Sequence, residues 1–316
     1  MFLFCRAKAE ILCLMTMQGT SKTNFLIHAH IYYAEMWEEL KQHLNNVSEY
    51  SRDIWVTVLK DQKELEDRVL RDFPAAHIVQ VANVGYDIGP FVEVLKRVNL
   101  NDYHFCIKIH SKRNLQPPAH VGLTDVSGSK WRDYLLSFLK PENFRKCIEA
   151  FEKKPKLGMV GHYAIHCEKE PADERAWAQS EQWLTDYGLL TPEKQDRLSY
   201  IAGSMFMCRA HLLTPVKEIL SKVEFEVPSR EHPSTVSHCA ERLLGHAISA
   251  AGYRIQDVYT RRKSKLYIKV KAIIGYCCHQ FLRFIYQKKH TKKGFTIIKI
   301  CKIPVWHGRG RDNARD

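Results

Sequence analysis

The chain has ten cysteines but no C-x-x-C pair and no regular cysteine spacing; only Cys277 and Cys278 are adjacent. That usage argues against zinc and for the reduced, buried thiols of a cytoplasmic protein. No run of about eighteen uncharged apolar residues occurs, so no membrane-spanning helix is expected. The start, Met1 to Met17, is apolar but broken by Arg6, Lys8 and Glu10, which makes a poor signal peptide. P-loop, G-x-G-x-x-G and Ser-His-Asp orders are all missing, and no internal repeat is found. His162 and His166 follow a strand pattern rather than lie on a helix. His28 and His30 share a strand face without a third ligand in view. Neither pair is read as a metal site.

The 316 residues, 45% of them hydrophobic, suffice for one large α/β domain or two small ones. Strand-type and helix-type patterns alternate, which favours α/β over all-β. The net charge of +13 is concentrated. From Val258 to Asp316 there are sixteen Lys and Arg against two acids, so the body before it is close to neutral. A basic terminal arm points to a polyanionic surface.

The strand patterns run in order. Phe25 to His30 is the first and Ile54 to Leu59 the second, with a helix through Met36, Trp37, Leu40 and Leu44 between them. A short helix, Leu65 to Leu70, precedes the third strand, His77 to Val81. Phe105 to His110 is the fourth, followed by a Pro-, Gly- and Ser-rich loop from Asn114 to Ser129. Trp131 to Phe151 is helical, with Pro141 marking a break or a second start. Leu157 to Gly161 is a short fifth strand. Glu168 to Leu198 is polar and mostly helical. Tyr200 to Cys208 is a sixth strand containing a glycine. A helix from Ser237 to Ala251 and a short strand at Tyr253 to Ile255 complete the body.

The run Asn83-Val84-Gly85-Tyr86-Asp87-Ile88-Gly89-Pro90-Phe91 carries the most information. It joins the third strand to an apolar-periodic helix through Val92, Val94, Leu95 and Val98. Two glycines allow a tight turn and a close approach, and Pro90 suits the first helical position. Asp87 is held at the C-terminal end of a strand, where open α/β sheets bind ligands. Three more constellations follow. Lys108, His110 and Lys112 share one face if the fourth strand runs on, and their cations suit a diphosphate. No acid of an Asp-x-Asp metal site follows that strand, so these cations could act in place of a metal. Gly203, before Ser204, marks a bulge or a close ligand contact; Met205 and Phe206 read as core. His238, Glu241 and Arg242 share a helix face, and a carboxylate beside His and Arg can serve as a general base. An ordinary turn, a solvated basic loop, a kinked core strand and a surface ion pair are the plainer alternatives for the four.

In this order, N-x-G-x-D-I-G-P-F, K-I-H-S-K, Trp131-Arg132, L-G-M-V-G, G-S-M-F-x-x-R and H-x-x-E-R with a later G-Y, the residues resemble the rhamnan synthesis protein F family of bacterial polysaccharide glycosyltransferases. The resemblance spans roughly Asn24 to Tyr259. It implies a GT-A-like nucleotide-diphospho-sugar transferase, with a mixed, mainly parallel sheet flanked by helices. L-rhamnose from a dTDP-linked donor would extend a cell-wall or O-antigen polysaccharide, with inversion. The expected donor-binding residues are Asn83, Gly85, Asp87, Gly89, Lys108, His110, Lys112, Gly203 and Ser204. Glu241 is the expected base, oriented by His238 and Arg242. The family carries Arg where this chain has Tyr86. That departure keeps open a non-catalytic carbohydrate-binding or assembly subunit on the same fold. No cofactor is certain, and a divalent ion, Mg²⁺ or Mn²⁺, stays open.

In the arm, Leu266, Val270, Ile273, Ile274, Cys277, Phe281, Phe284 and Ile285 form one helical stripe. Lys265, Lys269, Arg283, Lys288 and Lys289 flank it. The spacing predicts a basic amphipathic, membrane-associating segment over 260–303 that lies on an anionic surface, beside a lipid-linked acceptor. Docking of the stripe on the catalytic domain is the alternative. The protein is then expected on the inner face of the cytoplasmic membrane. No nucleic-acid motif accompanies the charge, so nucleic acid is not an expected partner. Residues 1–23 read as a lead-in, 24–259 as the transferase domain, and 304–316 as a disordered tail.

Overall fold

Four parallel strands are laid side by side through three helical crossovers. The strands are β1 (Asn24–Ile31), β2 (Ser51–Leu59) and β3 (His77–Val81), and β4 (Phe105–His110) then returns to the other side of β1. The crossovers carry α1 (Trp37–Asn45), α2 (Lys63–Asp72) and α3 (Ile88–Arg97). Parallel neighbours require such crossovers, because a tight turn can only join antiparallel strands. Each helix buries a stripe at i, i+3, i+4 spacing, as Trp37, Leu40 and Leu44 do on α1. In this computed structural model the described residues are 23–121, 123–168, 174–228, 235–290, 295–300 and 303–309.

Further along lie a hairpin, β5 (Leu115–Val121) and β6 (Thr124–Gly128), then α4 (Lys130–Leu135), α5 (Pro141–Lys153) and β7 (Leu157–Val160). The short pair β8 (His166–Cys167) and β9 (Tyr200–Ile201) brackets α6 (Glu174–Asp186). The body ends with β10 (Phe206–Arg209), α7 (Thr214–Leu220), α8 (Val236–Ala250) and β11 (Arg254–Gln256). The main sheet has seven strands in the order β11-β7-β10-β4-β1-β2-β3. Only β10 runs antiparallel to its neighbours, β4 and β7. This is the mixed, mainly parallel, helix-flanked sheet expected of a GT-A-like domain. Strand order reverses between β1 and β4, the kind of crevice where open α/β sheets bind ligands.

Several local readings change. The sixth strand is split into β9 and β10, because Gly203 and Ser204 take left-handed φ values of +81° and +51° and turn the chain between them. The expected loop after β4 holds the β5–β6 hairpin, whose register shifts between Leu115 and Ala119, across Pro117 and Pro118. Pro lacks the N–H that a regular ladder needs. Pro141 is a second start, at the first turn of α5. Pro90 sits third in α3, where its missing N–H is still one of the four that lack a helical partner.

The chain divides into two compact units, Met1–Thr260 and Arg261–Asp316. The second holds α9 (Arg262–Ile285) and an antiparallel sheet of β12 (Tyr286–His290), β13 (Phe295–Ile300) and β14 (Ile303–Arg309). The helical stripe therefore ends at Ile285. Strand β14 replaces the disorder expected after Pro304, as far as Arg309. The β-branched residues of β13, Thr296, Ile297 and Ile298, favour a pleated ladder over a continued helix. The rest of the expected tail, 310–316, and the lead-in over 1–22 lie outside the described residues. Among the described residues no helix is long and apolar enough to cross a membrane.

Candidate functional site

The turn after β3 is fixed by backbone geometry. Gly85 has φ +73°, and Tyr86 follows it into the left-handed region at +52°. A Cβ on Gly89 would lie 2.3 Å from the Val84 carbonyl oxygen, so only glycine fits there. The Gly85 N–H donates to the Glu226 carbonyl at 2.9 Å, while Glu226 Oε1 accepts from the Ser237 N–H at 3.3 Å. One residue thus ties the turn to the start of α8. Asp87 ends the turn as the N-cap residue of α3, without capping that helix through its side chain.

Its carboxylate instead faces β4. Lys108 Nζ donates to Asp87 Oδ2 at 2.5 Å, to the Ser204 carbonyl at 3.1 Å and to Ser204 Oγ at 2.9 Å. The Ser204 hydroxyl in turn donates to Asp87 Oδ2. Lys108 is wholly buried, with Nζ 5.6 Å from the Phe91 ring centroid. An ammonium group has three protons, and each has an acceptor inside the protein. Lys108 therefore pins two turns, at Asp87 and at Ser204, and has no proton left for a ligand. His110 Nδ1 lies 3.2 Å from the same Asp87 oxygen but outside hydrogen-bond geometry. Strand β4 ends at His110, so Lys112 does not continue its face; its carbonyl accepts from Arg132 Nη1 at 3.1 Å.

Burial opposes the charge on Asp87. The Lys108 ammonium overcomes that penalty and, with the hydrogen bonds from Lys108 and Ser204, holds the carboxyl well below the usual carboxylate range. Burial pushes His110 down from 6.5 to about 3; Asp87 pulls it upward, Lys108 downward, and burial prevails. His110 is thus neutral, and the charge that matters to Asp87 is that of Lys108.

Four residues absent from the expected site belong to it. His28 and His30, set aside in the sequence, stand beside Lys108 and His110 in the β1–β4 register. Thr57 on β2 bonds both rings, and Phe91 stacks on His28 with centroids 5.2 Å apart. The available signal was a buried-type strand carrying polar residues on one face, His28 and His30 in β1 and Thr57 in β2. Burial lowers His28 well below 6.5, helped by Lys108, and lowers His30 to about 4.

Acid should therefore unfold the domain. The folded rings titrate below the ordinary 6.5 and the unfolded ones at it, so the unfolded chain binds more protons as pH falls through 6.5. This stability is complete above that value and is lost toward about 4, with His30 alone worth on the order of 3 kcal/mol when fully charged. The melting temperature measured from about pH 7 to about pH 5 should drop, and a His30→Gln variant should flatten the slope.

The Gly203–Ser204 turn joins this cluster to the helix constellation. Gly203 N–H donates to Glu241 Oε1 at 2.5 Å, and Arg242 Nη1 donates to Glu241 Oε2 at 2.7 Å. Arg242 also lies over the Tyr200 ring, 4.6 Å from its centroid, and bonds the His238 carbonyl. His238 is not joined to Glu241. Its ring closes a capping box, with Nδ1 accepting from the Thr235 N–H at 3.3 Å and lying 2.7 Å from Thr235 Oγ1, and its centroid is 6.1 Å from that of Tyr86. Gly203 is required by packing: a Cβ there would meet Leu135 Cδ2 at 2.6 Å and Trp131 Cζ2 at 2.9 Å. The structure thus brings together Gly85, Asp87, Gly89, Lys108, His110, Gly203, Ser204, Glu241 and Arg242. Lys112 lies past the end of β4, and Asn83 is exposed.

A family model described as rhamnan synthesis protein F matches residues 9–253. The chain belongs to that family. Two curated proteins called uncharacterized protein WxcX, from two strains of Xanthomonas campestris pv. campestris, are each 25% identical over 236 residues, covering 72% of this chain. That stretch is 32% of each relative, so the chain spans about a third of their length. Glucosyl-3-phosphoglycerate synthase from Mycobacterium tuberculosis, solved with Mn²⁺, UDP and phosphoglyceric acid, has a TM-score of 0.37 at 9% identity, with 92% and 90% of the two chains covered. A mycobacterial protein gives 0.34 at 9% identity, with 74% and 76% covered. Likenesses this loose add nothing to what the sheet order already shows.

Within the rhamnan synthesis protein F family, the resemblance implies Arg at the position of Tyr86. Here a neutral ring in the left-handed region faces His238. Among the described residues no group of three His, Cys, Asp or Glu could hold a metal ion. The central carboxylate, Asp87, is already matched by Lys108.

Proposed function

We propose that the chain is the catalytic domain of a glycosyltransferase that takes sugar from a nucleotide-diphospho-sugar and adds it to a growing cell-surface polysaccharide. The observation that carries this reading is the meeting of Asp87, His110, Ser204 and Glu241 at the crevice where strand order reverses. Asp87 Oδ1 makes no hydrogen bond within the described residues and is free to take a ribose hydroxyl or base N–H. The diphosphate would lie over His110 toward Lys112, since Lys108 has no free proton. Glu241 keeps lone pairs beyond the two that Gly203 and Arg242 use. It would take the acceptor hydroxyl's proton while the sugar's bond to the diphosphate breaks and the new glycosidic bond forms. One displacement inverts the anomeric centre, with a β-configured donor giving an α-linked product and no covalent intermediate.

The family name supports L-rhamnose, carried by dTDP, as the sugar, and an O-antigen or cell-wall chain as the acceptor. Release of nucleoside diphosphate from dTDP-L-rhamnose, UDP-sugars and GDP-sugars, with lipid-linked oligosaccharide supplied, tests this. Turnover of dTDP-L-rhamnose alone is the expected result. Turnover of none would favour the second reading, a carbohydrate-binding or assembly subunit. Tyr86 and the saturated Lys108 favour that reading, because both remove cations from the donor's path.

Helix α9 would bring the domain to a lipid-linked acceptor at the inner face of the cytoplasmic membrane. Leu266, Val270, Ile273, Ile274 and Phe281 are exposed along one stripe. Arg262, Lys265, Lys269 and Lys271 stand near it, each worth about 1 kcal/mol at an anionic surface. The protein should cosediment with phosphatidylglycerol vesicles but not with phosphatidylcholine vesicles, and salt should release it. Ile273→Glu should abolish this binding. Equal binding of that variant would rule the helix out.

A further inference from the structure

The protons on the two β1 histidines can be placed. His28 Nε2 and His30 Nδ1 each lie 2.9 Å from Thr57 Oγ1, and all three side chains are buried. Among the described residues the Thr57 hydroxyl proton has no acceptor other than these rings, so the hydroxyl donates to one ring and accepts from the other. His28 Nδ1 is buried without a partner. If His28 Nε2 accepted, its proton would sit on Nδ1 as a buried, unmade N–H, the costlier arrangement. The order is therefore His28 Nε2–H to Thr57 Oγ1, then Thr57 O–H to His30 Nδ1. His30 must carry its proton on Nε2.

That nitrogen makes no hydrogen bond among the described residues, yet it is not one of the buried polar atoms sealed off without a partner. His30 stands near the C-terminal end of β1, beside His110, its register partner. Asp87, Lys108, His28 and His110 are the titratable groups around it. Lys108 is saturated, so an N–H from a neutral ring is what this floor can offer a ligand oxygen. Burial keeps the ring neutral near pH 7, with His30 lowered to about 4.

We propose that His28 and Thr57 lock His30 into a single tautomer whose Nε2–H donates to an oxygen of a nucleoside diphosphate held over the end of β1. This rests on the donor-binding reading above. His30 is then a specificity contact, while Thr57 and His28 are positioning residues acting through it.

Full-length protein labelled with ¹⁵N-histidine tests the lock without any ligand. Long-range ¹H–¹⁵N spectra, assigned with His30→Gln, should show His30 protonated on Nε2. Thr57→Val should give mixed tautomers and Thr57→Ser should not. By calorimetry with dTDP, UDP and GDP, the nucleotide that binds wild type should bind Thr57→Val and His30→Phe about tenfold more weakly, with Thr57→Ser near wild type. A proton on His30 Nδ1 overturns the proposal while leaving the donor reading intact. Unchanged affinity in Thr57→Val also overturns it, because a purely structural Thr57 would lower only the melting temperature. Absence of binding by all three nucleotides to folded wild type overturns the donor reading, and this ligand with it.

Discussion

Lys108→Met should destabilise the first unit by about 3–5 kcal/mol, the usual cost of stripping one partner from a buried ion pair. Lys108 is wholly buried and its partner Asp87 is charged, so the variant leaves a carboxylate facing a methionine. The Ser204 carbonyl and hydroxyl lose their donor in the same step. In a unit of this size that corresponds to a fall in melting temperature of roughly ten degrees. Urea unfolding of the full chain reads the effect directly. The double variant Lys108→Met, Asp87→Leu should recover much of the loss, because it removes the orphaned charge. A single variant that loses less than about 1 kcal/mol would show that the pair is not the pin described.

Glu241→Gln should lower turnover by about a hundredfold to ten-thousandfold, the range for losing a general base. The amide oxygen can still accept the Gly203 N–H, so the turn keeps its place. What is lost is the negative charge beside Arg242 and the ability to take a proton. Nucleotide binding should stay within about twofold of wild type, since the substitution lies outside the donor's contacts. Steady-state release of nucleoside diphosphate and calorimetry separate the two effects. If turnover survives, Glu241 is a structural acceptor for Gly203 and Arg242, and the proton goes elsewhere.

The motif turn was legible because its information is local. Two glycines, a proline and an acid between a strand and an apolar-periodic helix leave few conformations for the backbone. The alternation in Lys108-Ile109-His110 correctly put Lys108 and His110 on one face, but alternation does not say what covers that face. Here α3 lays Phe91 over Lys108 and His28, so the cation expected to meet phosphate is spent inside the protein. No third ligand for His28 and His30 is visible in the sequence, because their partner is a hydroxyl, Thr57, on the neighbouring strand. Ser204 meets Asp87 across 117 residues of chain, a pairing that no local pattern encodes. His238 and Glu241 share a face as expected, but Thr235 at the helix start claims the histidine ring. The apolar stripe of the arm ends at Ile285, where the helix ends, and the rest of the 260–303 segment holds strands, which its β-branched residues favour.

In the proposed reaction the crevice at the end of β1 and β4 holds a nucleoside diphosphate without a metal ion. Calorimetry of the full chain with dTDP, UDP and GDP, each with EDTA and again with Mg²⁺ or Mn²⁺, tests it most directly. One nucleotide should bind, and bind equally well in EDTA. Binding of none to folded protein would contradict it, and binding only with the divalent ion would contradict the part given to His30, His110 and Lys112.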